Sequence, residues 1–263
     1  MKRSSRSVGA AARRLADALN DRYPTVSIGA LSTEAIKGAG YASQVGQDLI
    51  VDRLFGGMRS GVFVDVGAHD GVTLSNTAFL ELERGWTGLC VEPNPAVFEK
   101  LQQNRARCIE AAVGPSHGTL PFRVIEGYGE MLSGLEGSYS ATDLARIERD
   151  IAAHGGAWKV IDVPVRRLDE ALRTAGISRV DYMSIDVEGG ELGVLESIEL
   201  ADFDVAVLSV ENNFNSSSIR KAMRRQGYRH LFRLSHDDFF VSNHLDLGRL
   251  VVPSGRTHSA PDQ

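Results

Sequence analysis

Hydrophobic positions in this chain fall into short continuous runs separated by stretches of helical period. Residues 62–66 read Val-Phe-Val-Asp-Val, and residues 87–92, 107–113, 180–185 and 205–210 have the same character. Runs that are apolar on both faces fit strands buried in a parallel sheet. Between them the apolar residues recur three and four apart. Residues 44–55 carry Val45, Leu49, Val51 and Leu54 on one side, and helices are predicted over 75–84, 143–153, 191–198 and 217–226, with another starting at Pro95. Strands alternating with helices predict an α/β fold whose parallel strands are joined by right-handed crossovers. Residues 229–234 and 239–243 flank Ser-His-Asp-Asp and predict a closing hairpin.

The remaining segments are less regular. Residues 120–125 predict a further strand, and residues 160–168 an extended segment whose Pro164 suggests a sheet edge. Residues 126–140 are rich in glycine and serine and read as a mobile loop over a site. Val8, Ala11, Ala12, Leu15 and Leu19 recur at helical spacing near the start. We therefore expect a helical extension over 1–40, one domain over 41–250 and a polar tail over 251–263.

Composition narrows the classes. The 263 residues are 43% hydrophobic and 24% charged, an ordinary globular balance. A formal charge of −5 gives no general drive toward nucleic acid. No apolar run approaches the about 20 residues that span a bilayer, so no transmembrane segment is expected. The N-terminus is basic at Lys2, Arg3 and Arg6, but no continuous apolar stretch follows, and a secretory signal is not expected. Cys90 and Cys108 lie inside apolar runs and read as buried free thiols, which suits a reducing, cytoplasmic setting. A basic stripe at Arg220, Lys221, Arg224 and Arg225 reads as a solvated helix face.

Chemistry concentrates in three places. Residues 62–71 run from an apolar strand through Asp65, Gly67, His69 and Asp70 to Gly71. A strand, a glycine turn and a helix starting near Val72 would make a nucleotide-type cofactor site at the carboxyl edge of the sheet. The spacing is not Gly-x-Gly-x-x-Gly, and a carboxylate at position 65 would repel a pyrophosphate but not the ammonium of S-adenosylmethionine. Glu92 ends the second strand, in Val-Glu-Pro-Asn-Pro, where it can accept hydrogen bonds from both ribose hydroxyls. Ala111, Ala112 and Val113 end the third strand and could line an adenine slot. Residues 184–191, Ser-Ile-Asp-Val-Glu-Gly-Gly-Glu, crowd three carboxylates at the end of the fourth strand. Like charges this close need a cation, hydrogen bonds or water as partners. Asp186 and Glu188 are the candidates for chemistry, and Glu191 reads more simply as a first-turn helix carboxylate.

The order and spacing of these pieces resemble the FkbM-type methyltransferases over about residues 41–245. The matching elements are Ser43-Gln44-Val45-Gly46-Gln47-Asp48, the run from Phe63 to Gly71, Gly88 to Pro95, and Ile185 to Glu191. The resemblance implies a class I methyltransferase fold, a mostly parallel, doubly wound seven-stranded sheet with a C-terminal antiparallel hairpin. It also implies S-adenosylmethionine as methyl donor and O-methylation of a hydroxyl on a sugar, glycan or polyketide-type acceptor. The candidate cofactor contacts are Gln44, Gln47, Asp65, Gly67, His69, Asp70, Gly71, Asn76, Glu92, Pro93, Ala112 and Val113. The candidate catalytic residues are Asp186 and Glu188, since a poorly acidic alcohol needs a base or a metal to lose its proton. Asp186, Glu188 and Glu211 could instead hold Mg²⁺, with Asn212 and Asn213 assisting. His154, His230, His236 and His244 are further candidate bases. The acceptor's identity, metal use and self-association are not legible. A nicotinamide-dependent oxidoreductase and a non-catalytic cofactor-binding domain are the competing readings.

Overall fold

The computed structural model describes residues 40–245; the expected N-terminal helix and the polar tail lie outside the described residues. The chain opens with α1 (Gln47–Leu54), β1 (Val62–Val66), α2 (Ala78–Arg84), β2 (Thr87–Glu92), α3 (Pro95–Asn104) and β3 (Cys108–Glu110). It continues with β4 (Ala112–Val113), β5 (Gly118–Gly127), a 3₁₀ turn at Glu130–Leu132, β6 (Gly134–Leu135), α4 (Ala141–His154) and β7 (Gly156–Arg166). It closes with α5 (Leu168–Thr174), β8 (Tyr182–Ile185), α6 (Glu191–Glu196), a 3₁₀ turn at Leu200–Phe203, β9 (Val207–Glu211), α7 (Ser217–Arg225), β10 (Tyr228–Leu234) and β11 (Asp237–Ser242).

Seven strands form the main sheet in the order β10-β11-β9-β8-β1-β2-β3. The pairs among β9, β8, β1, β2 and β3 are parallel, and β11 runs antiparallel to both β9 and β10. This main sheet is the seven-stranded sheet with a closing hairpin that the resemblance implies, and four further strands form a second sheet. Alternation explains why the strands read as continuous apolar runs. Val64, Val66, Leu89, Val91, Met183, Ile185, Leu208 and Val210 pack on one face. Phe63, Cys90, Tyr182 and Val207 pack on the other. Each side chain of this size contributes about 1.5–3 kcal/mol when fully buried, so both faces hold the sheet.

Several expectations are corrected. The helix after β1 starts at Ala78, not near Val72. Asp70 accepts hydrogen bonds from the N–H groups of Val72 and Thr73, and Leu74 takes a left-handed φ of 54°, which no helix accommodates. The apolar run 107–113 divides, its first part pairing with β2 while Ala112–Val113 pairs with β7. A second sheet of four strands, β4-β7-β5-β6, was not foreseen. Its β5 and β7 pair over ten residues, from Gly118↔Val165 to Gly127↔Gly156. Pro164 sits in β7, an inner strand, yet β4 pairs only with Val165 and Arg166, so that flank of Pro164 carries no ladder. The segment 126–140 contains the 3₁₀ turn and β6. Helix α5, which buries Leu168, Ala171 and Leu172, was also missed.

Among the described residues, no helix is long and apolar enough to cross a membrane. The carboxyl ends of β1, β2, β8 and β9 lie along one edge of the main sheet, and they carry Gly67, Glu92, Asp186 and Glu211.

Candidate active site

A cavity of about 630 Å³ opens at this edge, within the usual size of small-molecule sites, about 300–1,000 Å³. Gly67, at its floor, has φ +85°, and a Cβ there would lie 1.7 Å from the Asp186 carbonyl oxygen. Only glycine lets β1 and β8 converge this closely. The Gly67 and Ala68 N–H groups donate to the Val91 carbonyl at 2.9 and 3.1 Å, which pins the turn to β2.

Glu92 is the best-held candidate. Its two carboxylate oxygens accept from the N–H groups of Asn94 at 2.8 Å and His69 at 3.1 Å. Burial pushes its carboxyl up to about 7, against these two hydrogen bonds. Each oxygen keeps a lone pair for a hydroxyl donor. Beside it, Val91, Val97, Ala111, Ala112, Val113 and Phe122 supply an apolar slot. His69 takes a left-handed φ of 50°, and neither ring nitrogen has a hydrogen-bond partner among the described residues. The second sheet and the 3₁₀ turn roof this half of the cavity with Gly129, Glu130, Leu132 and Leu135.

The other half is acidic. Carboxylate oxygens of Asp186, Glu188 and Glu211 all lie within 4.8 Å of one another. None of the three side chains receives a hydrogen bond from the described residues. Burial raises Asp186 well above the ordinary carboxylate range, and the charges of Glu188 and Asp237 add to it. Glu211 rises well above its range for the same reason, with Asp186 and Glu188 as its neighbours. Burial lifts Glu188 to about 7, opposed by Arg146. Glu188 holds a left-handed φ of 55° in a tight turn, where Gly189 closes against the Ser138 carbonyl.

The cavity brings together Gln44, Gln47, Gly67, His69, Glu92, Pro93, Ala112, Val113, Asp186, Glu188 and Glu211. Four other candidates lie behind its wall. Asp65 is buried and accepts from Thr77 Oγ1 at 2.6 Å, and burial raises its carboxyl, an effect that Arg105 opposes. Its carboxylate is thus engaged inside the fold and is not among the residues that line the cavity. Asp70 caps the following turn; burial works against its charge, but the Thr73 and Val72 hydrogen bonds win and hold it below its usual range. A Cβ on Gly71 would meet Arg105 and Leu101 side chains, so this glycine serves packing rather than ligand approach. Asn76 donates to Ser184 Oγ at 3.0 Å, inside the fold.

Arg105 organises this support. It donates to Thr77 Oγ1 at 2.8 Å and the Gly71 carbonyl at 3.0 Å, and it pairs with Glu81. Glu191 accepts from Gly189 N–H at 2.9 Å and stays outside the cavity, as a helix-start carboxylate does. Asn212 donates to Asp238 and the Ser216 carbonyl, so its amide does not serve the acidic trio, whereas Asn213 lines the cavity. Of the other histidines among the described residues, only His236 lines it. His230 is held by Asp238 at 3.0 Å, and His154 stacks on Tyr128. In the basic stripe, Arg220 pairs with Asp238, while Lys221, Arg224 and Arg225 are exposed.

Sequence reasoning missed Asp237, a buried carboxylate lining the cavity. It also missed Thr142, Asp143, Arg146 and Arg149 of α4, which form one wall.

Numbered by their order within the main sheet, its strands lie 3-2-1-4-5-7-6, with the seventh antiparallel. That topology, a glycine turn after the first strand and an acid ending the second define a class I S-adenosylmethionine-dependent methyltransferase. The chain belongs to the methyltransferase FkbM domain family, whose pattern matches residues 65–230. Among curated relatives it is similar to the 2-O-methyltransferase NoeI of Sinorhizobium fredii, 29% identical over 140 residues, 51% of this chain and 56% of that protein. It is also similar to the methyltransferase sdnD of Sordaria araneosa, 27% identical over 153 residues, 50% of this chain and 59% of that protein. The matches thus span little more than half the length of these relatives. The crystal structure of methyltransferase FkbM from Methylobacillus flagellatus is 15% identical, covering 91% of this chain and 59% of that one at a TM-score of 0.43.

The residues present fit this cofactor. Glu92 offers acceptors for ribose hydroxyls beside an apolar slot for adenine.

Proposed function

We propose that this protein is an O-methyltransferase acting on a hydroxyl of a sugar, glycan or polyketide-type small molecule. The observation that carries the reading is the trio Asp186, Glu188 and Glu211, whose carboxylate oxygens share a space of 4.8 Å without protein donors among the described residues. When bound, S-adenosylmethionine supplies an electrophilic methyl group, and its transfer to a hydroxyl leaves S-adenosylhomocysteine and a proton. The trio disposes of that proton. Burial and like charge raise these carboxyls, which makes them better bases than free carboxylates, and Glu188 at about 7 is matched to neutral pH. Asp186 stands at the end of β8, next to the central strand, and takes the hydroxyl proton. Gln44, Glu92 and Pro93 contribute to holding the cofactor, and Gln47 serves the acceptor side of the cavity. The NoeI name, that of a 2-O-methyltransferase, is consistent with a hydroxyl acceptor.

A second reading rests on the same distances: the three carboxylates would hold a divalent cation such as Mg²⁺, which would make the acceptor hydroxyl more acidic. The test is methyl transfer to a panel of sugars and hydroxylated metabolites, followed by mass spectrometry for added CH₂. Asp186→Asn and Glu188→Gln should lower the rate of the active member about 10²–10⁴-fold with cofactor affinity nearly unchanged. If a cation does the work, a chelator abolishes activity and Mg²⁺ restores it. Full activity in both variants contradicts the proposal under either mechanism.

A further inference from the structure

The acidic half of the cavity extends one strand beyond the trio. Asp237 opens β11 and stands in register with Glu211 at the end of β9. It is only 6% exposed, yet it lines the cavity. Its Oδ2 accepts a hydrogen bond from Gln47 Nε2 at 2.6 Å. Gln47 has no freedom to turn the other way, because its Oε1 already accepts from the Val45 N–H at 3.1 Å. The amide is therefore committed as a donor to Asp237, across 190 residues of chain. The second oxygen, Oδ1, receives no hydrogen bond from the described residues. A carboxylate so deeply buried, with one oxygen clamped and the other free, is an expensive feature unless a ligand supplies the missing donor.

Position along the sheet edge says which ligand. Glu92, Gly67, Asp186, Glu211 and Asp237 follow the strand order β2, β1, β8, β9, β11. Strands lie about 4.8 Å apart, so Asp237 is about four spacings, roughly 19 Å, from the ribose-binding end. It lies on the far side of the methyl-transfer carboxylates. The group it faces there belongs to the acceptor rather than to adenosine.

We propose that Asp237 binds the acceptor through its free Oδ1, that Gln47 is the positioning residue that aims it, and that the acceptor presents a hydroxyl or ammonium donor beside the hydroxyl to be methylated. This rests on the O-methyltransferase reading of the site and narrows its substrate class. A neutral or amino-bearing polyol satisfies Asp237 and Glu211. A uronic acid or phosphate placed between Asp237 and Glu211 meets their like charge, with Arg233 and the His236 ring beside Asp237 as the opposing groups.

The experiment has two arms. Calorimetry with S-adenosylhomocysteine should give affinities within about 3-fold of wild type for Asp237→Asn and Gln47→Leu; a loss above about 10-fold assigns Asp237 to the cofactor and overturns the proposal. The second arm measures methylation of methyl glycosides of neutral hexoses, amino sugars and uronic acids. Neutral or amino glycosides should be turned over in preference to uronic acids. Asp237→Asn should raise their KM about 10- to 100-fold with kcat changed only a few-fold. Gln47→Leu should raise KM likewise, and the double variant should be no worse than Asp237→Asn, because Gln47 acts through Asp237. Melting temperatures of the variants separate this pattern from a loss of fold. Preference for uronic acids, an unchanged KM in Asp237→Asn, or additive effects in the double variant overturn this inference alone. If no glycoside is methylated or bound while S-adenosylhomocysteine still binds, the sugar-hydroxyl reading fails and this inference falls with it.

Discussion

Truncating Glu92 isolates the cofactor half of the site. In Glu92→Ala the strand end loses both oxygens that hold His69 N–H and Asn94 N–H. It also loses the acceptors available to the ribose hydroxyls. A hydrogen bond to a charged group contributes about 1.5–3 kcal/mol. Losing the ribose contacts should therefore weaken S-adenosylhomocysteine binding by at least that amount, a rise in Kd of about 10- to 150-fold. The freed backbone donors open onto the cavity, where water can replace the carboxylate, so the fold should survive. Isothermal titration calorimetry on the variant, with circular dichroism to verify folding, measures both. A folded Glu92→Ala protein that binds S-adenosylhomocysteine within about 2-fold of wild type would refute the assignment of Glu92 to the ribose.

Three further outcomes are expected. Burial raises Glu92 and Glu188 from 4.5 to about 7. The folded, cofactor-free protein thus retains protons that the unfolded chain has released; this stabilisation is full below about pH 4.5 and is lost as pH rises through about 7. The melting temperature without cofactor should therefore fall between about pH 5.5 and about pH 8, and Glu92→Gln should flatten that slope; a melting temperature rising over this range contradicts it. Gly67→Ala drives a Cβ to 1.7 Å from the Asp186 carbonyl and should cost about 2–4 kcal/mol in urea unfolding together with cofactor binding; wild-type stability would show that β1 and β8 do not converge as described. Arg105→Leu strips Asp65 and Glu81 of their buried counter-charge and should cost about 3–5 kcal/mol, whereas a stable variant would show that the Asp65 network does not support the glycine turn.

Much of this architecture is legible in the linear pattern, for a physical reason. Parallel strands covered on both faces must be apolar at every position, so β1, β2, β8 and β9 stand out without any periodicity. The charged residue that breaks each run marks where the strand reaches the cavity, which is why Glu92, Asp186 and Glu211 could be named in advance. Asp65 is the instructive exception. It breaks the run of β1 too, but it does so inside the strand and turns into the core toward Thr77 and Arg105. Strand composition alone does not say which way such a carboxylate points. Helix α2 was placed too early because a left-handed residue, Leu74, carries no compositional mark. The second sheet escaped notice because β4 and β6 are two residues each and gain their order from long-range pairing with β7 and β5. Asp237 was hidden in Ser-His-Asp-Asp, whose polar residues signal a turn. The turn itself uses only Ser235 and His236, and Asp237 already belongs to the strand.

We propose that one cavity holds the methyl donor over β1 and β2 and the acceptor hydroxyl over β8 and β9. A crystal structure of the protein with S-adenosylhomocysteine and an acceptor identified by methyl transfer tests this most directly. The expected result is ribose hydroxyls on Glu92, the sulfur facing the Asp186 end of β8, and the acceptor hydroxyl within hydrogen-bonding distance of Asp186 or Glu188. A ribose remote from Glu92, or an acceptor oxygen turned away from both carboxylates with no cation between them, would contradict it.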